Sequence, residues 1–144
     1  MDELGAFPRD DEETVHKRSD STEHELLVIE QGELVLGIPA QLVDSVVPWT
    51  SPAALPRTSP WVLGIIQDRG RLVAVRKAEK DMGAPQRIVL CATAKGLVGI
   101  PATSTRSIGS VRVLGAPRHG QPVDTDHGAL TILDLDAVAN QMTE

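Results

Sequence analysis

Along this chain the hydrophobic positions come in short apolar runs broken by turn residues, a pattern that suits strands better than helices. Leu26-Leu27-Val28-Ile29 is the first run. Gln31-Gly32 turns the chain into Glu33 to Ile38, and the two runs predict a β-hairpin. Pro39 opens a short helical turn through Leu42, since proline suits a first helical position. Val43 to Val47 is a third strand, ended by Pro48. The stretch from Pro48 to Pro60 holds four of the ten prolines, which lack the N–H a ladder needs, so it is expected to loop over the surface or across a sheet edge. Val62 to Ile66 and Arg71 to Arg76 then read as two strands. Asp68-Arg69-Gly70 joins them, with glycine free to take positive φ and aspartate able to bond its own backbone.

Lys77 to Gln86 is a polar connector containing Gly83 and Pro85, the one plausible internal boundary. Beyond it, Arg87 to Ala92 is a strand, Lys95-Gly96 a turn and Leu97 to Pro101 the partner strand. Val111 to Leu114 is expected as a short strand, 115–128 as a loop, and Ala129 to Leu133 as a strand. A terminal helix covers about 134–142: Asp134 or Asp136 can cap it, and Leu135, Val138, Ala139 and Met142 share one face. LLVIEQGELVLGIPAQLVDSVV (26–47) and IVLCATAKGLVGIPATSTRSIG (88–109) run through the same order of strand, glycine turn, strand, Gly-Ile-Pro-Ala and crossover. That internal repeat predicts two similar β-subdomains, about 25–77 and 87–133. Many short strands at this spacing favour small closed barrels, which also dispose of sheet edges.

Composition changes the picture in three places. Aromatic residues are nearly absent (Trp49, Trp61 and Phe7), so the core is aliphatic and base-stacking platforms for single-stranded nucleic acid are excluded. The formal charge of −6 belongs entirely to residues 1–25, while 26–144 carry eleven acids and eleven bases. Residues 1–24 therefore read as a disordered acidic leader, and the balanced body has no electrostatic footprint for DNA or RNA. Cys91 is alone, which fits a reducing cytoplasm, and no signal peptide or membrane-spanning run is present.

Candidate chemistry is thin. His119, Asp124, Asp126 and His127 share one loop, but their spacing fits no established metal-ligand pattern. Cys91 sits mid-strand as a small apolar residue, and no Ser-His or Cys-His pair has activating neighbours. Gly96, Gly99 and Gly109 lack the context of a phosphate loop. A binding protein without catalytic residues, metal or cofactor is the expectation. A small barrel enzyme or metal-dependent ligand binder using Cys91 and the 119–127 loop is the alternative from another class.

At this point the opening LLVIEQGELVLGIPAQLVDSVV, the block WVLGIIQDRGRLVAV after Leu-Pro, the LVGIPA hairpin and the closing ALTILDLDAV resemble the CheW-like coupling proteins of bacterial chemosensory arrays, over about residues 25–142. The resemblance implies a mainly β fold of two intertwined five-stranded SH3-like barrels around a shared apolar core, with the C-terminal helix. It implies a non-catalytic cytoplasmic adaptor at membrane-associated receptor arrays, without membrane insertion of its own. One partner would be the regulatory domain of a histidine kinase; the other would be the hairpin tip of a chemoreceptor, laid into a groove. By position, Val43, Gly64 and Arg69 match receptor-groove residues, and Val98 and Gly99 lie near the kinase-facing side. Within the family's Asn-Leu-Arg-Gly segment, Gly64, Arg69 and Gly70 match. Gln67 and Asp68 stand for the Asn and Leu, and Ala74, Lys77 and Ala78 replace a Pro, an Asp and a Leu. Pro101-Ala102 likewise stands where the family shows Val-Asp, so a divergent paralogue that has lost one interface is a second alternative.

Overall fold

The computed structural model describes residues 21–143 apart from 57, 79 and 115–119. The acidic leader through residue 20 and His119 lie outside the described residues. Ten strands and one helix follow in order: β1 (Ser21–Gln31), β2 (Leu34–Pro39), a 3₁₀ turn (Ala40–Leu42), β3 (Val43–Pro48), β4 (Val62–Asp68), β5 (Arg71–Arg76), β6 (Arg87–Thr93), β7 (Gly96–Ala102), β8 (Ser104–Leu114), β9 (Pro122–Thr125), β10 (Gly128–Ile132) and α1 (Leu135–Met142). Asp134 caps α1, its carboxylate accepting from the Ala137 N–H at 3.2 Å.

The two β units are not successive segments of the chain, which corrects the expected division into 25–77 and 87–133. β1, β2, β10, β9 and β8 close one barrel, and β3, β6, β7, β5 and β4 make a second five-stranded sheet. Each repeat gives its first two strands to one unit and its last three to the other. The parallel pairings that tie the repeats together are equivalent: Thr131 and Ile132 of β10 lie beside Leu36 and Gly37, and Ala74 and Val75 of β5 lie beside Val98 and Gly99. The chain changes sheet at the two Ile-Pro-Ala segments, where a proline offers no N–H to extend the hairpin ladder.

Because the units interlock, their central strands are buried on both faces, which explains runs that are apolar without alternation. Leu26 and Val28 point into the closed barrel with Val111, Val113, Leu130 and Ile132. Ile88 and Leu90 point into the second sheet's interior with Ile66, Val73 and Val75. The residues between them (Leu27, Ile29, Val89, Cys91), with Ile38, Ile100 and the apolar face of α1, form a third core shared by both units.

Three boundaries differ from the sequence expectation. β1 starts at Ser21, inside the segment expected to be leader, because His24 and its neighbours pair in register with β8. β8 runs eleven residues rather than four, and β9 occupies part of the expected 115–128 loop. Ser104–Ser110 and Pro122–Thr125 carry few apolar side chains; they become strands because neighbouring edges supply hydrogen-bond partners.

Candidate functional site

The two strands β4 and β5 end in a two-residue turn, with Asp68 paired to Arg71 across it. Both central residues take positive φ, 49° at Arg69 and 79° at Gly70, the geometry that matches a twisted hairpin. Glycine accepts it freely. At Arg69, the only non-glycine with positive φ among the described residues, the left-handed conformation costs roughly 1 kcal/mol.

Around this turn four charged side chains meet. Arg71 holds Asp44 of β3 with two donors, at 3.3 and 2.9 Å, and donates to Asp68 at 2.8 Å. Arg69 adds longer contacts: Nε to Asp68 at 3.1 Å, and Nη2 to Asp44 at 3.3 Å and to the Ser45 hydroxyl at 3.4 Å. The Arg71 hydrogen bonds, ahead of the other contributions, hold both carboxyls below the ordinary aspartate range and raise the Arg71 guanidinium. Arg71 is the structural member of the cluster. The Arg69 side chain is 66% exposed, and its Nη1 makes no bond among the described residues. On β5, Leu72 is 72% exposed, a large apolar side chain turned to solvent.

Of the partner-contact residues named from the resemblance, Arg69 is the one with an exposed side chain. Val43 is half-buried and packs against the shared core. Gly64 is buried beneath the proline-rich loop: a Cβ there would lie 2.6 Å from the Ala53 carbonyl oxygen and 2.8 Å from the Pro52 Cβ. Val98 and Gly99, expected near a kinase-facing side, are interior residues of the central strand β7. Val98 belongs to the shared core, and a Cβ on Gly99 would meet Ile88 at 2.9 Å. Asp44 and Leu72 were not singled out. The contacts of Asp44 with the two arginines span 25 and 27 residues of sequence, and an exposed leucine in a strand reads like a core one.

Cys91 is fully buried, and desolvation, helped by the Asp44 charge, pushes its thiol up to about 12, so it is no nucleophile. His127 and Asp126 approach to 3.7 Å at the exposed β9–β10 turn, and no group of three metal-ligating side chains occurs among the described residues. No helix among them is long and apolar enough to cross a membrane.

A closed barrel interlocked with a second five-stranded sheet around a shared core defines a two-unit β fold. The CheW-like domain matches residues 25–141, and the chain belongs to that family. Among solved structures, the scaffolding protein TtCheW from Thermoanaerobacter tengcongensis superposes with a TM-score of 0.65 at 16% identity, covering 81% of this chain and 92% of that one. Among curated proteins, no sequence matches the chain.

Proposed function

We propose that this protein is a non-catalytic cytoplasmic adaptor that couples chemoreceptors to a histidine kinase. Family membership supports the scaffold role. The observation that carries the receptor contact is Arg69, an exposed cation held at φ 49° where glycine would be less strained. Strain retained at an exposed turn is accounted for by what its side chain does. A receptor tip is a helical hairpin, so it would lay an apolar stripe against Leu72 while a helix carboxylate takes the unused Nη1 of Arg69. Asp44, Asp68 and Arg71 would serve as the fixed base on which Arg69 stands. Val43 and Gly64 would act from beneath, by setting the position of β3 and of the loop. Val98 and Gly99 would shape the second sheet without touching the kinase through their own side chains. The kinase's regulatory domain would be held through a different surface, so signal would pass as a change in the relative arrangement of kinase and receptor.

The test is a pull-down of the full chain against a kinase regulatory domain and a receptor signalling fragment, with Arg69→Glu beside the wild type. Expected is binding of both by the wild type, and loss of the receptor alone in the variant with the melting temperature nearly unchanged. Retention of receptor binding by a folded Arg69→Glu would sink the assignment. Binding of neither partner by the wild type would move the divergent-paralogue alternative into its place.

A further inference from the structure

We infer that the last turn of α1 works as a latch on the seam of the second sheet, with Ser59 and Gln141 as positioning residues for the turn that carries Arg69. The inference deepens the receptor-contact reading and rests on it for the effect on receptor binding. Four residues from three parts of the chain close a circuit. The Ser59 hydroxyl, in the proline-rich loop, donates to the Gln141 carbonyl at 2.7 Å and accepts from the Trp61 N–H at 3.1 Å. The Gln141 side chain accepts from Arg76 Nη2 at 2.8 Å, and the Arg76 guanidinium lies over the Trp61 ring, 4.8 Å from its centroid. Ser59 and Arg76 are both buried, so water does not compete for these bonds. Carbonyls of a last helical turn have no partner within their helix, and the loop supplies one for Gln141.

The circuit sits at the base of the hairpin whose tip is Arg69. Trp61 leads into β4 and Arg76 ends β5. The Val62 N–H donates to the Ser59 carbonyl at 3.0 Å and the Lys77 N–H to the Trp61 carbonyl at 2.7 Å, which ties the circuit to both strands. Among the described residues of 50–60, hydrogen bonds to the rest of the fold are made at two places, the Ala53 bridge to Ile65 and Ser59. Those two fastenings hold the loop over Gly64, so releasing Ser59 leaves one bridge to keep the seam shut. Arg76 and Gln141 also line a cavity of about 360 Å³, with Leu34 and Leu36 of β2 and Val138 of α1. Where packing is incomplete, fewer dispersion contacts hold the last turn, and the circuit's bonds carry more of its attachment. Movement of that turn therefore passes to the base of the hairpin and to the loop together.

The experiment is amide hydrogen exchange of the full chain, followed by titration with a receptor signalling fragment and a kinase regulatory domain. Ser59→Ala and Gln141→Leu are compared with Thr125→Ala, which removes a hydroxyl-to-carbonyl bond of the same kind, to Gly128 at 2.6 Å, in the closed barrel. Expected is exchange at the Ile65 amide about fivefold faster in each latch variant, with β9 and β10 unaffected. The double variant should fall short of the product of the two effects, because both break one circuit. Thr125→Ala should speed β9 and β10 and leave Ile65 alone. An unchanged Ile65 amide, or equal acceleration in both units, overturns the inference. Receptor-fragment affinity is expected to fall about fivefold in both latch variants while kinase affinity holds. Full receptor affinity despite a faster Ile65 amide, with Arg69→Glu abolishing binding, would make the circuit a structural fastening only and overturn the inference. Where Arg69→Glu too leaves receptor binding intact, it is the receptor reading that fails, and the exchange data alone decide the latch.

Discussion

The two halves of the repeat build two units with equivalent strands, yet they close in different ways. In the closed barrel, β8 is eleven residues long and curls far enough to pair with β1 along most of its length and then with β9 at Val113 and Leu114. Its counterpart β3 has six residues and stops at Pro48. Where the second sheet needs the same closure, Ala53 of the proline-rich loop makes a single bridge to Ile65, with hydrogen bonds of 2.8 and 2.9 Å. Asp44, at the other end of β3, reaches across to Arg71 and Arg69. One unit is sealed by a ladder, the other by one bridge and a cluster of charges. The difference locates where this molecule has freedom: the exposed arginine, the strained turn and the covered glycine all lie along the less strongly sealed seam.

The largest effect is expected where the two units are least separable. Ile38 is fully buried in the shared core, and Ile38→Ala should cost about 2–5 kcal/mol. Amide exchange should rise in β9–β10 and β4–β5 together; protection lost in one unit alone would show that the shared core does not couple them. Next come the equivalent glycines of the two units. A Cβ on Gly37 would lie 2.9 Å from Leu26, and one on Gly99 would lie 2.9 Å from Ile88. Gly37→Ala and Gly99→Ala should therefore each cost about 1–3 kcal/mol in urea unfolding, and by similar amounts. A large inequality would mean that one interior relaxes more easily than the other.

Gly64→Ala is expected to act locally. Its methyl group collides with the backbone of Ala53, so the loop must lift and the bridge to Ile65 open, at roughly 1 kcal/mol for its hydrogen bonds. Faster exchange of the Ile65 amide, with the closed barrel unaffected, is the signature to look for. The smallest effect concerns the ion cluster. Arg71→Ala should lower the melting temperature more than Arg69→Ala, since Arg71 makes the shorter contacts. Asp44 and Asp68 are held below the ordinary value of 3.8, so their contribution is present above that pH and lost as pH falls through their depressed folded values. Acid melts of Arg71→Ala should show a shallower loss than wild type; identical slopes would remove the cluster from the seam.

The sequence by itself determined the strand-rich architecture, the repeat, the turn at Asp68-Arg69-Gly70 and the helix capped by Asp134. Each of these is local chemistry: apolar runs, turn residues with allowed φ, and a side chain that bonds its own helix end. Burial of Cys91 was legible for the same reason, as one small side chain in an apolar strand. What only the tertiary structure decided is which strands keep company. A Gly-Ile-Pro-Ala segment marks a crossover without saying into which sheet the chain passes, and β8 and β9 are strands because edges were waiting for them. Burial of Val98 and Gly99 follows from the central place of β7, which no local pattern specifies. The pairing of Asp44 with Arg71, and with it the freedom of Arg69, depends on closing a seam between residues far apart in the chain. That closure is a property of the assembled sheet, where proline has removed the strand that would otherwise have sealed it.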